Sequence, residues 1–142
     1  QAIGVTLFAI TANLAGGLAK RFGIERMISI GTFMAFLSGL LLLAYGWTGG
    51  GPVWVLSLLF APMNIGLGLR GPPGFLRAIM AGRGDDDRAA ALVILFITGI
   101  ASAGTALLAP FITLGLPALS LAVALVQAMG LAALVILPRL PD

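Results

Sequence analysis

The sequence predicts an all-α membrane protein, a polytopic bundle of about five transmembrane helices, and three observations predict it. Hydrophobic residues make up 60% of the 142 and charged residues 9%, with a mean hydropathy of +1.12. An ordinary soluble domain carries roughly 25% charged residues, so this chain lacks the groups to cover a water-facing surface; in lipid it does not need them. Apolar stretches of about 20 residues, enough to cross a bilayer of about 30 Å, recur five times along the chain. The breaks between those stretches alternate between charged and uncharged.

The expected helices span about 2–18, 27–47, 53–80, 89–112 and 118–137. None alternates with period two, and each mixes Leu, Ala, Gly and Val, which argues helix over barrel strand. Uncharged breaks fall at Thr48-Gly49-Gly50-Gly51-Pro52 and Thr113-Leu114-Gly115-Leu116-Pro117. Charged breaks fall from Lys20 to Arg26, from Arg77 to Arg88, and from Arg139 onward. Five successive crossings put every charged break on one face. Basic residues mark the cytoplasmic side, so the C-terminus is expected in the cytoplasm, with the protein integral to a plasma membrane, the bacterial inner membrane. The third segment has two readings. Either it ends near Leu69, or it runs on as one long helix, kinked or unwound around Gly71-Pro72-Pro73-Gly74; the second keeps the topology and is preferred.

Composition also excludes function classes. The chain has neither Cys nor His, which rules out disulfides, thiolate or imidazole metal sites, and triads built on either residue. Eight basic residues against five acidic ones is too small an imbalance to imply a nucleic-acid partner. Gln1 opens directly into apolar sequence with no basic leader, so no signal peptide is expected. All 142 residues are expected to be a fragment of one transmembrane domain of a longer chain.

The run Gly16-Gly17-Leu18-Ala19-Lys20-Arg21-Phe22-Gly23-Ile24-Glu25-Arg26 joins the first two helices. It resembles the cytoplasmic loop signature of the major facilitator superfamily, with Gly16, Leu18, Ala19, Arg21, Gly23 and Arg26 matching. Lys20 stands where that pattern has Asp, so the family's charge-relay role does not carry over to it. Physically, Gly16 allows a neighbouring helix to approach closely, Gly23 permits a tight reversal, and Arg21 can bind carbonyls at a helix C-terminus. A second stretch, Gly66-Leu67-Gly68-Leu69 with Pro72-Pro73 and a charged loop ending Arg88-Ala89-Ala90-Ala91-Leu92, is similar to the tenth helix and following loop of the superfamily. The resemblance covers nearly the whole chain and implies helices eight to twelve of a twelve-helix carrier, a partial major-facilitator-like fold. It further implies a small-molecule solute moved by alternating access, a lipid bilayer and the remaining N-terminal helices as partners, and no cofactor.

Arg70 is the leading cavity candidate. An ionisable group within a membrane helix is costly and faces a cavity or a partner. The superfamily's tenth helix lines the central cavity, so the resemblance implies that Arg70 holds an anionic or carboxylate-bearing solute, or pairs with an acid elsewhere in the carrier. The structural alternative is an Arg that caps carbonyls beside Pro72, or one that snorkels from a helix ending early. Asn64 lies on the same helix, but six residues turn it roughly 120° away. Thr98, Ser102 and Thr105 form one stripe, either facing solute or, preferred, packing helices together with Gly99, Ala103 and Ala106. Ser120, Ala124 and Gln127 repeat that spacing and are also read as packing. Asn13 either lines a cavity or hydrogen-bonds across helices.

Asp85-Asp86-Asp87 raises the alternative of a membrane-embedded, metal-dependent transferase. Such sites need a second carboxylate set on a facing helix, which the sequence lacks, so the run is read as a helix N-cap and solvated loop. All five carboxylates (Glu25, the three Asp and Asp142) fall at charged breaks, leaving no proton-carrying acid at membrane depth. A non-transporting membrane scaffold is a further alternative.

Overall fold

The computed structural model describes residues 2–82 and 84–136. Over them the chain forms α1 (Ala2–Phe22), α2 (Ile24–Trp47), α3 (Val53–Met80), α4 (Asp86–Leu108), a 3-10 helix (Ala109–Leu114) and α5 (Leu116–Ile136), with no strand among the described residues. Five helices are long and apolar enough to cross a membrane, so the chain has the build of an all-α integral membrane protein. Arg83, Arg139 and Asp142, expected on the charged face, lie outside the described residues, as does position 137, the expected end of the last helix.

Five boundaries differ from expectation: α2 and α4 each begin three residues early, at Ile24 and Asp86, and the other three differ for local reasons. α1 continues past the expected end at 18 to Phe22, with Lys20 and Arg21 in its last turn, where cations complement the C-terminal end of the helix dipole. The corner to α2 is then a single residue, Gly23, at φ 90°, ψ 145°, a conformation that side chains with a Cβ rarely adopt. The run resembling a loop signature is therefore mostly helix. α4 stops at Leu108 rather than near 112 and gives way to a 3-10 turn, since Pro110 has no N–H for an α-helical bond. α5 begins two residues early, with Pro117 in its first turn, where a missing N–H costs nothing.

α3 runs unbroken through Pro62, Pro72 and Pro73, so the long-helix reading holds and no unwound segment separates Arg70 from the charged end. At 28 residues it is about 42 Å long, more than the hydrocarbon thickness. It packs chiefly between α1 and α2, α5 lies along α2, and α4 touches the bundle mainly along α3. The α2–α3 seam is close because both sides are small. A Cβ on Gly31 would meet the Gly66 carbonyl, and one on Gly66 would meet that of Gly31. Further along, the Ser38 hydroxyl donates to the Leu59 carbonyl across the same seam. The α2–α5 seam is antiparallel, with Gly46 opposite Ser120 and Gly39 opposite Ala124 and Gln127. Ser120, Ala124 and Gln127 are all buried, as their packing assignment requires.

The two described charged junctions lie at the same end of the bundle. An ion pair of 2.9 Å joins Glu25 at the start of α2 to Arg77 near the end of α3. The opposite end is closed by uncharged turns. The Tyr45 hydroxyl donates to the Pro52 carbonyl at 3.2 Å, and Gly49, Gly50 and Gly115 supply positive φ angles.

Candidate functional site

One cleft of about 610 Å³ is lined by residues from all five helices. Phe8 comes from α1, Thr32 from α2, Arg70 and Phe75 from α3, Ile97 from α4 and Gly130 from α5. Its position follows from the seams. Gly31 and Gly66 draw α2 against α3, which brings Thr32 and Arg70, one residue and four residues further on, to a common level. The Arg70 Nη1 donates to the Thr32 hydroxyl at 3.3 Å. Gly130 faces the same pair: a Cβ placed there would lie 3.8 Å from Arg70 Nη1 and 4.0 Å from the Thr32 methyl. The missing side chain on α5 leaves the guanidinium room.

Arg70 stands ten residues before the end of α3, about 15 Å from that end. It is half-buried, and among the described residues no carboxylate reaches it. Glu25 is paired with Arg77, and Asp85, Asp86 and Asp87 start α4 beyond the charged end. Thr32 and Arg70 are the cleft's polar side chains; the rest of the lining is apolar or glycine. A guanidinium presents five N–H donors in a planar fork suited to a carboxylate or phosphate. One donor is engaged with Thr32, and the side chain lines open space. Chemically, the arrangement can hold an anion at membrane depth.

The other expected cavity residues are not gathered here. Asn64 turns toward α1, where its amide fills the notch at Gly4 and donates to the Phe60 carbonyl at 2.9 Å, so Asn64 and Arg70 face different helices as their six-residue offset implies. Asn13 is exposed and donates back to the Ala9 carbonyl at 2.8 Å; within the described residues it neither lines the cleft nor bonds across helices. Thr98 and Ser102 are exposed on α4, and no atom comes within 4 Å of a Cβ built on Gly99. The expected packing role of that stripe is not realised among the described residues: the covered part of α4 is near its start, where Ala89 is buried and Val93 half-buried, whereas Ile97, which borders the cleft, is itself exposed.

The signature residues divide along the corner. Gly16 has open space where a Cβ would sit and supports no close helix approach among the described residues. Leu18 and Ala19 are half-buried, while Arg26 is exposed on α2. Arg21 lies over the Phe22 ring, 5.7 Å from its centre, rather than on helix-terminal carbonyls. Asp85 caps α4 as expected: its Oδ1 accepts from the Arg88 amide at 3.3 Å, and its Oδ2 lies 3.4 Å from the Arg88 Nε. Among the described residues no cluster of three or more acidic side chains has the geometry to hold a metal ion.

Two cleft residues, Thr32 and Gly130, escaped the sequence reading although a signal for each was present. Thr32 adjoins a buried stripe of α2 (Gly31, Ala35, Ser38, Leu42 and Gly46) at helical spacing. Gly130 extends the Ser120–Ala124–Gln127 stripe by three residues. No family model, curated protein or solved structure matches the chain.

Proposed function

We propose that this chain is the C-terminal part of a secondary carrier with a major-facilitator-like fold, moving a small solute by alternating access. The observation that carries the reading is the cleft: five helices converge on it, and the membrane-depth charge of the described bundle, Arg70, lines it. An ionisable group at that depth is a functional site by default, and carriers bind solute near the midplane between helix bundles. The resemblance of 16–26 and 66–92 to the superfamily's signature regions supports the fold assignment. The gathering of Glu25, Arg26, Arg77 and Arg88 at one end supports a cytoplasmic placement of that end, and with it a cytoplasmic C-terminus in a plasma membrane. The exposed apolar faces of α1 and α4 are available to lipid and to the other helices of the carrier.

The test is flux in proteoliposomes containing the full-length protein. Solute uptake that saturates, shows counterflow and falls with Arg70→Gln supports the carrier. Leakage that neither saturates nor responds to Arg70→Gln contradicts it.

A further inference from the structure

We infer that the cleft's occupant is a soluble organic monoanion: one carboxylate-type group held by Arg70 and Thr32, attached to an uncharged apolar body. The inference deepens the carrier reading and rests on it for the occupant being a transported solute. Three observations fix the class.

Charge comes first. Arg70 has no carboxylate among the described residues, and its one described hydrogen-bond partner is the neutral Thr32 hydroxyl. A half-buried guanidinium at membrane depth is complemented by one negative charge. A divalent phosphate would bring a second negative charge into a cleft with no second cation, where low dielectric magnifies the mismatch.

The lining gives the second. Apart from Arg70 and Thr32 the walls are apolar, with Phe8 and Phe75 among them. A sugar or polyol would bury hydroxyls against these walls without partners, and each unmet hydroxyl costs binding. An aliphatic or aromatic body meets them without that penalty.

Size is the third. A volume of about 610 Å³ suits a small organic molecule. Gly130 keeps the guanidinium accessible, since any larger side chain there would project toward Arg70 Nη1.

The experiment titrates the full-length protein in zwitterionic nanodiscs, by calorimetry, with benzoate, benzyl alcohol and inorganic phosphate in turn. Benzoate is expected to saturate a single site, and the neutral alcohol to bind at least about tenfold more weakly, as loss of a charge-assisted hydrogen bond implies. Phosphate, titrated at a pH where it is the dianion, should also bind more weakly, because its second charge meets no second cation among the described lining residues. Arg70→Gln should weaken benzoate about 10- to 100-fold, and Thr32→Val a few-fold. Gly130→Leu, which keeps the charge and fills the cleft, should abolish binding while the protein still elutes as a single folded species. Equal binding of benzoate and benzyl alcohol overturns the inference. So does benzoate binding that survives both Arg70→Gln and Gly130→Leu, or a cleft that takes up added phosphatidylglycerol and never benzoate. Proteoliposome flux is read separately. Benzoate binding at Arg70 without any flux leaves the anion site standing and removes the carrier. Saturable flux of uncharged solutes that benzoate does not inhibit leaves the carrier standing and removes the anion site.

Discussion

Replacing Gly31 by Ala should damage this protein far more than one methyl group suggests. The added Cβ would press into the Gly66 carbonyl and sit 2.9 Å from Arg70 Cβ and 3.1 Å from Arg70 N. Two of those three obstacles are backbone atoms, and ordinary contact begins near 3.4 Å. No side-chain rotation relieves the clash, so α2 and α3 must part by about an ångström. A gap of that size forfeits roughly a quarter to a half of each dispersion contact along the seam. Overpacking of this kind costs about 1–3 kcal/mol, or roughly 2–12 °C in melting temperature for a chain of this size. Because Arg70 is itself among the obstacles, the same variant should lose ligand affinity in the cleft. The assay is thermal unfolding of the purified protein in detergent, with Gly99→Ala as control, where no atom lies within 4 Å of the new methyl. Once the seam has opened, adding Gly66→Ala should cost less than it does alone, a non-additivity of about 0.5 kcal/mol or more. Equal melting of Gly31→Ala and Gly99→Ala would refute the close seam.

Other substitutions probe the charged end. Glu25→Gln removes the charge from the 2.9 Å ion pair with Arg77; a loss of about 1 kcal/mol is expected, less than for breaking a fully buried pair, measured by the same melt. Gly23→Ala forces a Cβ into φ 90° at the α1–α2 corner and should cost about 1–3 kcal/mol; an unchanged melting temperature would mean that the corner is not a single-residue turn. Asp85→Ala removes the α4 cap and should cost about 1 kcal/mol. Replacing Asp85, Asp86 and Asp87 together should leave flux largely intact, whereas complete loss of turnover would favour a metal-dependent transferase.

Much of the architecture was legible because hydropathy reports the solvent around a helix directly. The 53–80 span came out whole: the long apolar run outweighs Pro72-Pro73, as bilayer solvation forces the backbone to stay helical wherever it can. The end of α1 was less legible, because its last turn carries Lys20 and Arg21, charges that read as a loop, and the helix stops only at Gly23, where a positive φ is needed. Which face of α4 packs was not legible at all. Its apolar residues surround the helix, so nothing in the pattern picks out Ala89 and Val93 as the covered part, while Ile97 at the edge of the cleft is exposed like Thr98 and Ser102. Arg70 announced itself by charge alone, yet its partners could not, since Thr32 and Gly130 become neighbours only through the Gly31–Gly66 approach and the α2–α5 seam.

Single-cysteine labelling from each side of the membrane bears most directly on the whole scheme, and the chain's lack of native cysteine makes every introduced thiol unambiguous. Thiols at positions 26 and 88 should react from the cytoplasmic side alone, and thiols at 48 and 113 from the outer side alone. Labelling of 26 and 88 from opposite sides would contradict a bundle whose charged corners share one face, and with it the depth assigned to Arg70.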